Sequence, residues 1–200
     1  MLFIRVDNTL KSEMMSKDDL IRAITESGFP QEVVPRAVFA ELKAQPHTSV
    51  PPGELRSSNG LLISENYYSC QGIAFLDDMG LVGALAHNYP TSDPCLSLTG
   101  EWPNGEIHPE DPKEIFKDLE QVMAVHVYHV DNHEFPPWRI KEALQKVGIE
   151  CVVHIPIKAR QSNNVVWRDI VVDVRDRSLY IFPVDFDYGI KFSASRRRLE

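Results

Sequence analysis

Three cysteines in 200 residues, spaced 25 and 56 apart, are too few and too uneven for a disulfide framework or a Cys-x-x-Cys metal knuckle. An apolar core must therefore hold the fold, and any cysteine with a special role is a reactive thiol. No stretch approaches the roughly 18 consecutive apolar residues of a membrane-spanning helix. The segment from Met1 to Asp7 has no basic region leading into an apolar stretch, so no secretory signal is expected. Cations are the minority, with 21 Lys and Arg against 29 Asp and Glu and a net charge of −8. Nucleic acids and anionic membranes are held by clustered Lys and Arg, so neither is an expected partner. The expected setting is reducing and cytoplasmic, and delivery into a host cell is compatible with it. What remains is a chain with 43% apolar and 25% charged residues, which supports a packed core and excludes global disorder.

Along the chain, Ser16-Lys17-Asp18-Asp19 resembles a capping box, with Leu20, Ile21, Ala23 and Ile24 after it and Gly28 as terminator. A second helix is expected from about Gln31 to Lys43, with Val33, Val34, Ala37, Val38 and Leu42 on one stripe. Residues 1–45 thus read as an N-terminal helical appendage. A DNA-reading helix pair is a poor fit, because the second helix offers only Arg36 and Lys43 as cations. Residues 46–55 are rich in helix and strand breakers and read as a linker or extended arm. Beyond them, Gly60–Ile63, Ser69–Leu76 and Leu81–His87 are expected strands, the last two joined at Asp77-Asp78-Met79-Gly80.

Asp111-Pro112 opens an expected helix running to Val122, and Ala124–Val130 is an expected strand. Trp138–Val147 and Ile149–Ile157 read as helix then strand. Asn164–Val174 and Leu179–Val184 read as a hairpin turning at Arg175–Ser178. Interleaved helices and antiparallel hairpins give an α+β fold, a mixed-sheet α/β sandwich over residues 56–185, with 186–200 as a tail.

The chemistry concentrates between Ser64 and Pro90. If the strands meet about the Asp78-Met79-Gly80 turn, positions whose numbers sum to about 157 face each other, as Cys70 and His87 do. Directly opposed residues have Cβ atoms about 4.5–5.5 Å apart, within reach for an imidazole to take a thiol proton. Spacing alone leaves the competing reading open: an inert buried cysteine and an unrelated histidine.

Ser69-Cys70, Asp77, Val82-Gly83-Ala84-Leu85-Ala86-His87 and Pro90 resemble the core motif of the CheD-type chemoreceptor glutamine deamidases. That family shares its fold with the cytotoxic necrotizing factor toxins. The resemblance implies Cys70 as nucleophile, His87 as general base and Ser64, in place of the family's threonine, as the residue that orients the imidazole. It runs to about Phe182 and implies a CheD-like domain. The first 50 or so residues lie outside it. Asn66-Tyr67-Tyr68 replaces the family's glycine-rich turn, and Ala159–Asn164 replaces a later glycine-containing stretch.

The implied reaction is deamidation of a glutamine side chain on a protein substrate through a thioester, with no metal or organic cofactor required. Backbone N–H groups near Ser69 and Gln71, with Tyr68 beside them, are the candidate oxyanion and pocket residues. A noncatalytic docking module, in which the tyrosines block the site, is the reading from another class. Amidase action on an N-terminal residue and transglutamination are the enzymatic rivals. A separate constellation, His129, Asp131 and His133, would share a strand face and could offer three zinc ligands.

Overall fold

The computed structural model describes residues 31–67, 70–77, 82–89, 122–129, 151–157, 168–183 and 187–194. Eleven strands in these segments form two sheets. In chain order they are β1 Gln31–Pro35, β2 Thr48–Ser49, β3 Leu55–Ser58, β4 Leu61–Ser64, β5 Gln71–Asp77, β6 Gly83–Asn88, β7 Val122–His129, β8 Cys151–Ile157, β9 Arg168–Asp173, β10 Ser178–Pro183 and β11 Tyr188–Ser193. One sheet runs β1-β11-β10-β9-β4-β2 and the other β3-β6-β5-β7-β8. Both are mixed: β2 pairs parallel with β4 and β7 parallel with β8, while the other pairs are antiparallel.

The strands β5 (QGIAFLD) and β6 (GALAHN) are buried along their whole length. Their sequences accordingly show near-continuous apolar runs where a half-exposed sheet would alternate. One face of each sheet meets in a shared core. Leu62, Ile170, Val172, Leu179, Ile181, Ile190 and Phe192 come from the six-stranded sheet, and Ala74, Leu76 and Leu85 from the other. On the far face of the six-stranded sheet a second cluster joins Leu61, Ile63, Val171, Tyr180 and Phe182 to Phe39 and Leu42. Those last two belong to α1, Ala37–Lys43, the only helix among the described residues. No helix there is long and apolar enough to cross a membrane.

Several expectations need correction. Gln31–Pro35, read as the start of a helix, is strand β1, pairing with β11 from Gln31↔Phe192 to Pro35↔Tyr188. Tyr188–Ser193, read as part of a tail, is β11 and lies between β1 and β10. Of the expected helical appendage, the described residues from Gln31 on hold strand β1 and the seven-residue helix α1, which packs on the sheet. The expected helix at Ser16–Gly28 lies outside the described residues, as do that at Trp138 and all of the one from Asp111 except Val122, which is the first residue of β7. In the stretch read as a linker, Thr48 and Ser49 pair with Leu62 and Ile63, and Leu55 pairs with Ala86. The strands expected between residues 60 and 88 and at Leu179–Val184 are present with ends shifted by a residue or two, and of the strand expected over Asn164–Val174 the described part is β9, Arg168–Asp173.

Gly83 shows how tightly the sheets meet. A Cβ added there would lie 2.6 Å from Val172 Cγ1, 2.8 Å from Val174 Cγ2 and 3.2 Å from the Phe75 carbonyl. Overpacking of this kind costs about 1–3 kcal/mol. Gly83→Ala is therefore expected to lose that much in urea unfolding, with an unchanged denaturant slope.

Candidate functional site

The hairpin of β5 and β6 carries the site, and its register differs from the sequence expectation. Gly72, not Cys70, faces His87, and Gln71 faces Asn88. The hairpin closes at Asp77 N–H to Val82 C=O, 3.1 Å. Four residues lie inside that bond, where the expected pairing of Asp77 with Gly80 had two, so each partner moves by two positions. A shift of two preserves the face, because side chains alternate with period two. Cys70, just ahead of β5, accordingly shares the inter-sheet core with Leu85, Ile170 and Tyr67. His87 is also directed toward the facing sheet, where it meets Ser64 on β4.

The Ser64 hydroxyl determines the state of the imidazole. Its oxygen lies 2.6 Å from the Val50 carbonyl and 2.9 Å from His87 Nδ1. A hydroxyl has one hydrogen, and a carbonyl can only accept, so Ser64 donates to Val50. It must then accept from His87, which places the imidazole proton on Nδ1. Nε2 is left as the basic nitrogen, and it has no hydrogen-bond partner among the described residues. His87 is fully buried. That burial lowers its pKa from the ordinary 6.5 to about 4, so the ring is neutral near pH 7.

Tyr67 accounts for much of the dryness. Its ring stacks on the imidazole with centroids 3.9 Å apart and planes 19° from parallel. It occupies space left by Gly72, where a Cβ would come within 2.9 Å of Tyr67 Cε1 and 2.3 Å of Ile170 Cδ1. The Tyr67 hydroxyl donates to the Ala86 carbonyl at 3.4 Å. Burial holds the phenol well above its ordinary pKa. The Ser64 hydroxyl pulls the other way, and the nearby charges of Cys70 and Asp169 push upward again. The same ring is thus close to Ser64, His87 and Cys70. Cys70 is itself buried, with 9% of its surface exposed.

Behind Tyr67, Asn66 adopts a left-handed backbone with φ of 65°, a conformation Asn tolerates better than most residues. Its N–H donates to Asp169 Oδ1 on β9 at 3.4 Å. The other carboxylate oxygen of Asp169 pairs with the Arg36 guanidinium. Arg36 also donates to the Phe182 carbonyl at 3.3 Å and lies over the rings of Phe39 and Phe182, 4.7 and 5.5 Å from their centroids. Burial pushes the Asp169 carboxyl upward while Arg36 pulls it down.

The structure therefore sets Ser64 and Tyr67 against His87, and Cys70 in the core cluster of Tyr67. Gln71 does not join them as an oxyanion donor. The N–H and C=O of His87 are directed to the residues just ahead of β3, through Glu54 C=O at 2.9 Å and Gly53 N–H at 2.7 Å. Antiparallel pairing alternates, so Gln71↔Asn88 is the hydrogen-bonded pair and the Gln71 N–H is committed to the ladder. Tyr68 and Ser69 lie outside the described residues, as do Asp131 and His133, while His129 is the last residue of β7. Among the described residues no group of three or more His, Cys, Asp or Glu is placed to hold a metal. The sequence reading missed Tyr67 as a contact of the imidazole, together with Asp169 and Arg36. The expected register set Cys70 opposite His87, so the sequence carried no signal that Gly72 leaves room there for a ring.

The buried imidazole makes a pH prediction. Unfolded, His87 takes a proton near pH 6.5; folded, only near pH 4. Between those values the unfolded chain binds more protons, so stability falls as pH drops through the window and is fully present above it. The shift corresponds to about 3 kcal/mol. Urea unfolding at pH 7 and pH 4 is expected to show a loss larger by about that amount in the parent than in His87→Gln.

No protein-family model matches the chain, and no curated protein sequence matches it. Among solved structures, it resembles Neisseria meningitidis protein NMB0706, described by the family model DUF152, at 10% sequence identity and a TM-score of 0.37. The likeness covers 60% of this chain and 66% of that one, a superposition too loose to establish a shared fold.

Proposed function

We propose that the protein is a cysteine-dependent amidohydrolase that deamidates glutamine side chains of a protein substrate, with a CheD-like domain as its framework. The observation that carries this reading is the buried Nε2 of His87, without a hydrogen-bond partner among the described residues and left basic by the Ser64 hydrogen bond, with Tyr67 stacked on the imidazole and sharing a core cluster with Cys70. An imidazole held in one tautomer with a bare nitrogen is what a general base requires. Its orienting partner on the other nitrogen completes the arrangement common to nucleophile–base–orienter sites.

In the proposed reaction the Cys70 S–H proton passes to Nε2, and sulfur bonds to the carboxamide carbon. The C=O electrons move onto oxygen. As the carbonyl re-forms, the C–N bond breaks and the imidazolium gives its proton to the departing ammonia, leaving a thioester. Water, deprotonated by Nε2, adds to the thioester. The C–S bond then breaks, and the product is a glutamate side chain with the thiol restored. A donor to the transient oxyanion typically contributes about 2.7–4 kcal/mol, and Gln71 N–H is already engaged. A neutral imidazole suits the first step, and the reactive groups are recessed. Both features favour an unbranched carboxamide presented at the end of a slender side chain.

A second reading, a noncatalytic docking module that retains the site, is favoured by one observation: Tyr67 is fully buried against His87. Two measurements separate them. Incubated with glutamine-bearing candidate proteins, the parent should release ammonia and leave the mass gain of an amide converted to an acid. Cys70→Ala should fold and do neither; deamidation surviving in that variant defeats the proposal. With iodoacetamide at neutral pH, Cys70 should label in the folded parent. Labelling restricted to the other cysteines would select the docking module.

A further inference from the structure

The geometry points to Arg36 as a positioning residue that, through Asp169 and the Asn66 amide, holds the Tyr67 ring against the His87 imidazole. This rests on the reading of His87 as the working base. It adds a role for a part of the chain outside the stretch that resembles the deamidase motif.

Four linked contacts carry the inference. Ser64 fixes the imidazole at one edge, through Nδ1, but a single hydrogen bond leaves the ring free to rock about that bond. The second restraint is the Tyr67 face, stacked at 3.9 Å. Tyr67 follows Asn66, whose left-handed backbone sets where the next residue goes and whose N–H is anchored on Asp169 Oδ1. Asp169 is almost fully buried, and a carboxylate in that position must be paired to remain charged. Arg36 supplies that pairing from outside the sheet, and its fork is held in turn by the Phe182 carbonyl and the faces of Phe39 and Phe182.

Arg36 sits between β1 and α1, with its own N–H bonded to Asp187 C=O at 2.8 Å. A second ion pair connects the same helix to the same loop, from Lys43 to Glu65 at 2.7 Å. That pair is exposed and contributes little by itself. It does show that α1 lies alongside the segment carrying Asn66 and Tyr67. The described geometry thus runs without a gap from the helix start to the imidazole.

The test reads His87 directly by nuclear magnetic resonance in full-length protein labelled with nitrogen-15. In the parent, the stacked phenol should displace the His87 carbon-bound protons upfield, and the ring nitrogens should show the single Nδ1–H tautomer. Arg36→Met keeps an apolar stem against Phe39 and Phe182 and removes the fork. It should lose most of the upfield displacement and blur the tautomer signature, while core methyl signals such as those of Ile190 stay in place. Arg36→Lys, which returns a cation to Asp169, should restore much of the displacement.

Unchanged His87 signals in Arg36→Met, or indistinguishable signals from the Met and Lys variants, overturn the proposal. If Arg36→Met does not fold, Asp169→Asn serves, since it buries no unpaired charge. There the Asn66 amide should exchange with solvent faster and the His87 displacement should shrink; parent-like behaviour in both overturns the proposal. Because the readout is a property of the imidazole, it responds to Arg36 whether or not Cys70 proves to be a nucleophile. The labelling and deamidation measurements on Cys70 decide that separately.

Discussion

The hydroxyl of Ser64 is the point on which the rest of the arrangement turns. It belongs to one sheet and bonds a histidine of the other, and its single hydrogen is already given to Val50. Each of these bonds is modest, with a net contribution of about 0.5–1.5 kcal/mol. The consequence of breaking them is larger, since a buried Nδ1–H or carbonyl left unpaired costs about 1–3 kcal/mol. The Val50 carbonyl is in place because β2 pairs parallel with β4, and Val50 N–H continues that ladder to Ile63 C=O at 2.9 Å. The two-residue strand at the edge of the larger sheet therefore decides which nitrogen of a histidine in the other sheet is basic.

Closing that bond requires the sheets to approach, and the approach dictates the packing around it. Small residues stand where the two layers come closest: Gly83 beneath Val172 and Val174, Ala74 and Gly72 farther along. Gly72 has a second consequence. Facing His87 without a side chain, it admits an aromatic ring that covers the imidazole and excludes water. The resulting pKa near 4 lies well below the value that would best match a base to neutral solution. Burial penalises the isolated imidazolium, however. In the proposed reaction the proton comes from the Cys70 thiol, so a cation and an anion appear together and offset each other in the same dry surroundings. A lone histidine would be a poor base here; one beside a thiol need not be.

How much of this was legible in the sequence follows from how local each signal is. The strands β4, β5, β6, β9 and β10 announce themselves through short apolar runs bounded by turn residues, and the fold class follows from their spacing. The two-position register error came from two residues of turn length at Asp77–Val82, which propensity does not resolve. It left the inward face intact because strand periodicity is two. Gln31–Pro35 failed as a helix because its partner, Tyr188–Phe192, is more than 150 positions away. Val33, Val34, Ala37, Val38 and Leu42 fit a helical stripe numerically, but the apolar residues divide between a strand and a shorter helix on the same sheet face. β11 read as a tail for the converse reason: Lys191 and Gly189 interrupt its apolar pattern, and its burial is supplied by β1 and β10.

The same distinction explains the site. Ser64 and His87 entered through a family motif, whereas Tyr67, Asp169 and Arg36 are linked by contacts spanning 20 to 133 positions that no local pattern encodes. Asp169 falls inside an expected strand with nothing to single it out, yet β9 places it where Asn66 changes handedness. Its carboxylate can serve the Asn66 amide with one oxygen because Arg36 satisfies the other. Removing β1 and α1 would therefore do more than expose Phe39, Leu42 and the sheet beneath them. It would leave a buried carboxylate without its cation at the base of the segment that carries the ring over His87. The first strand and helix described here are thus part of the physical environment of the imidazole, and a boundary drawn after them would cut through the network that orders it.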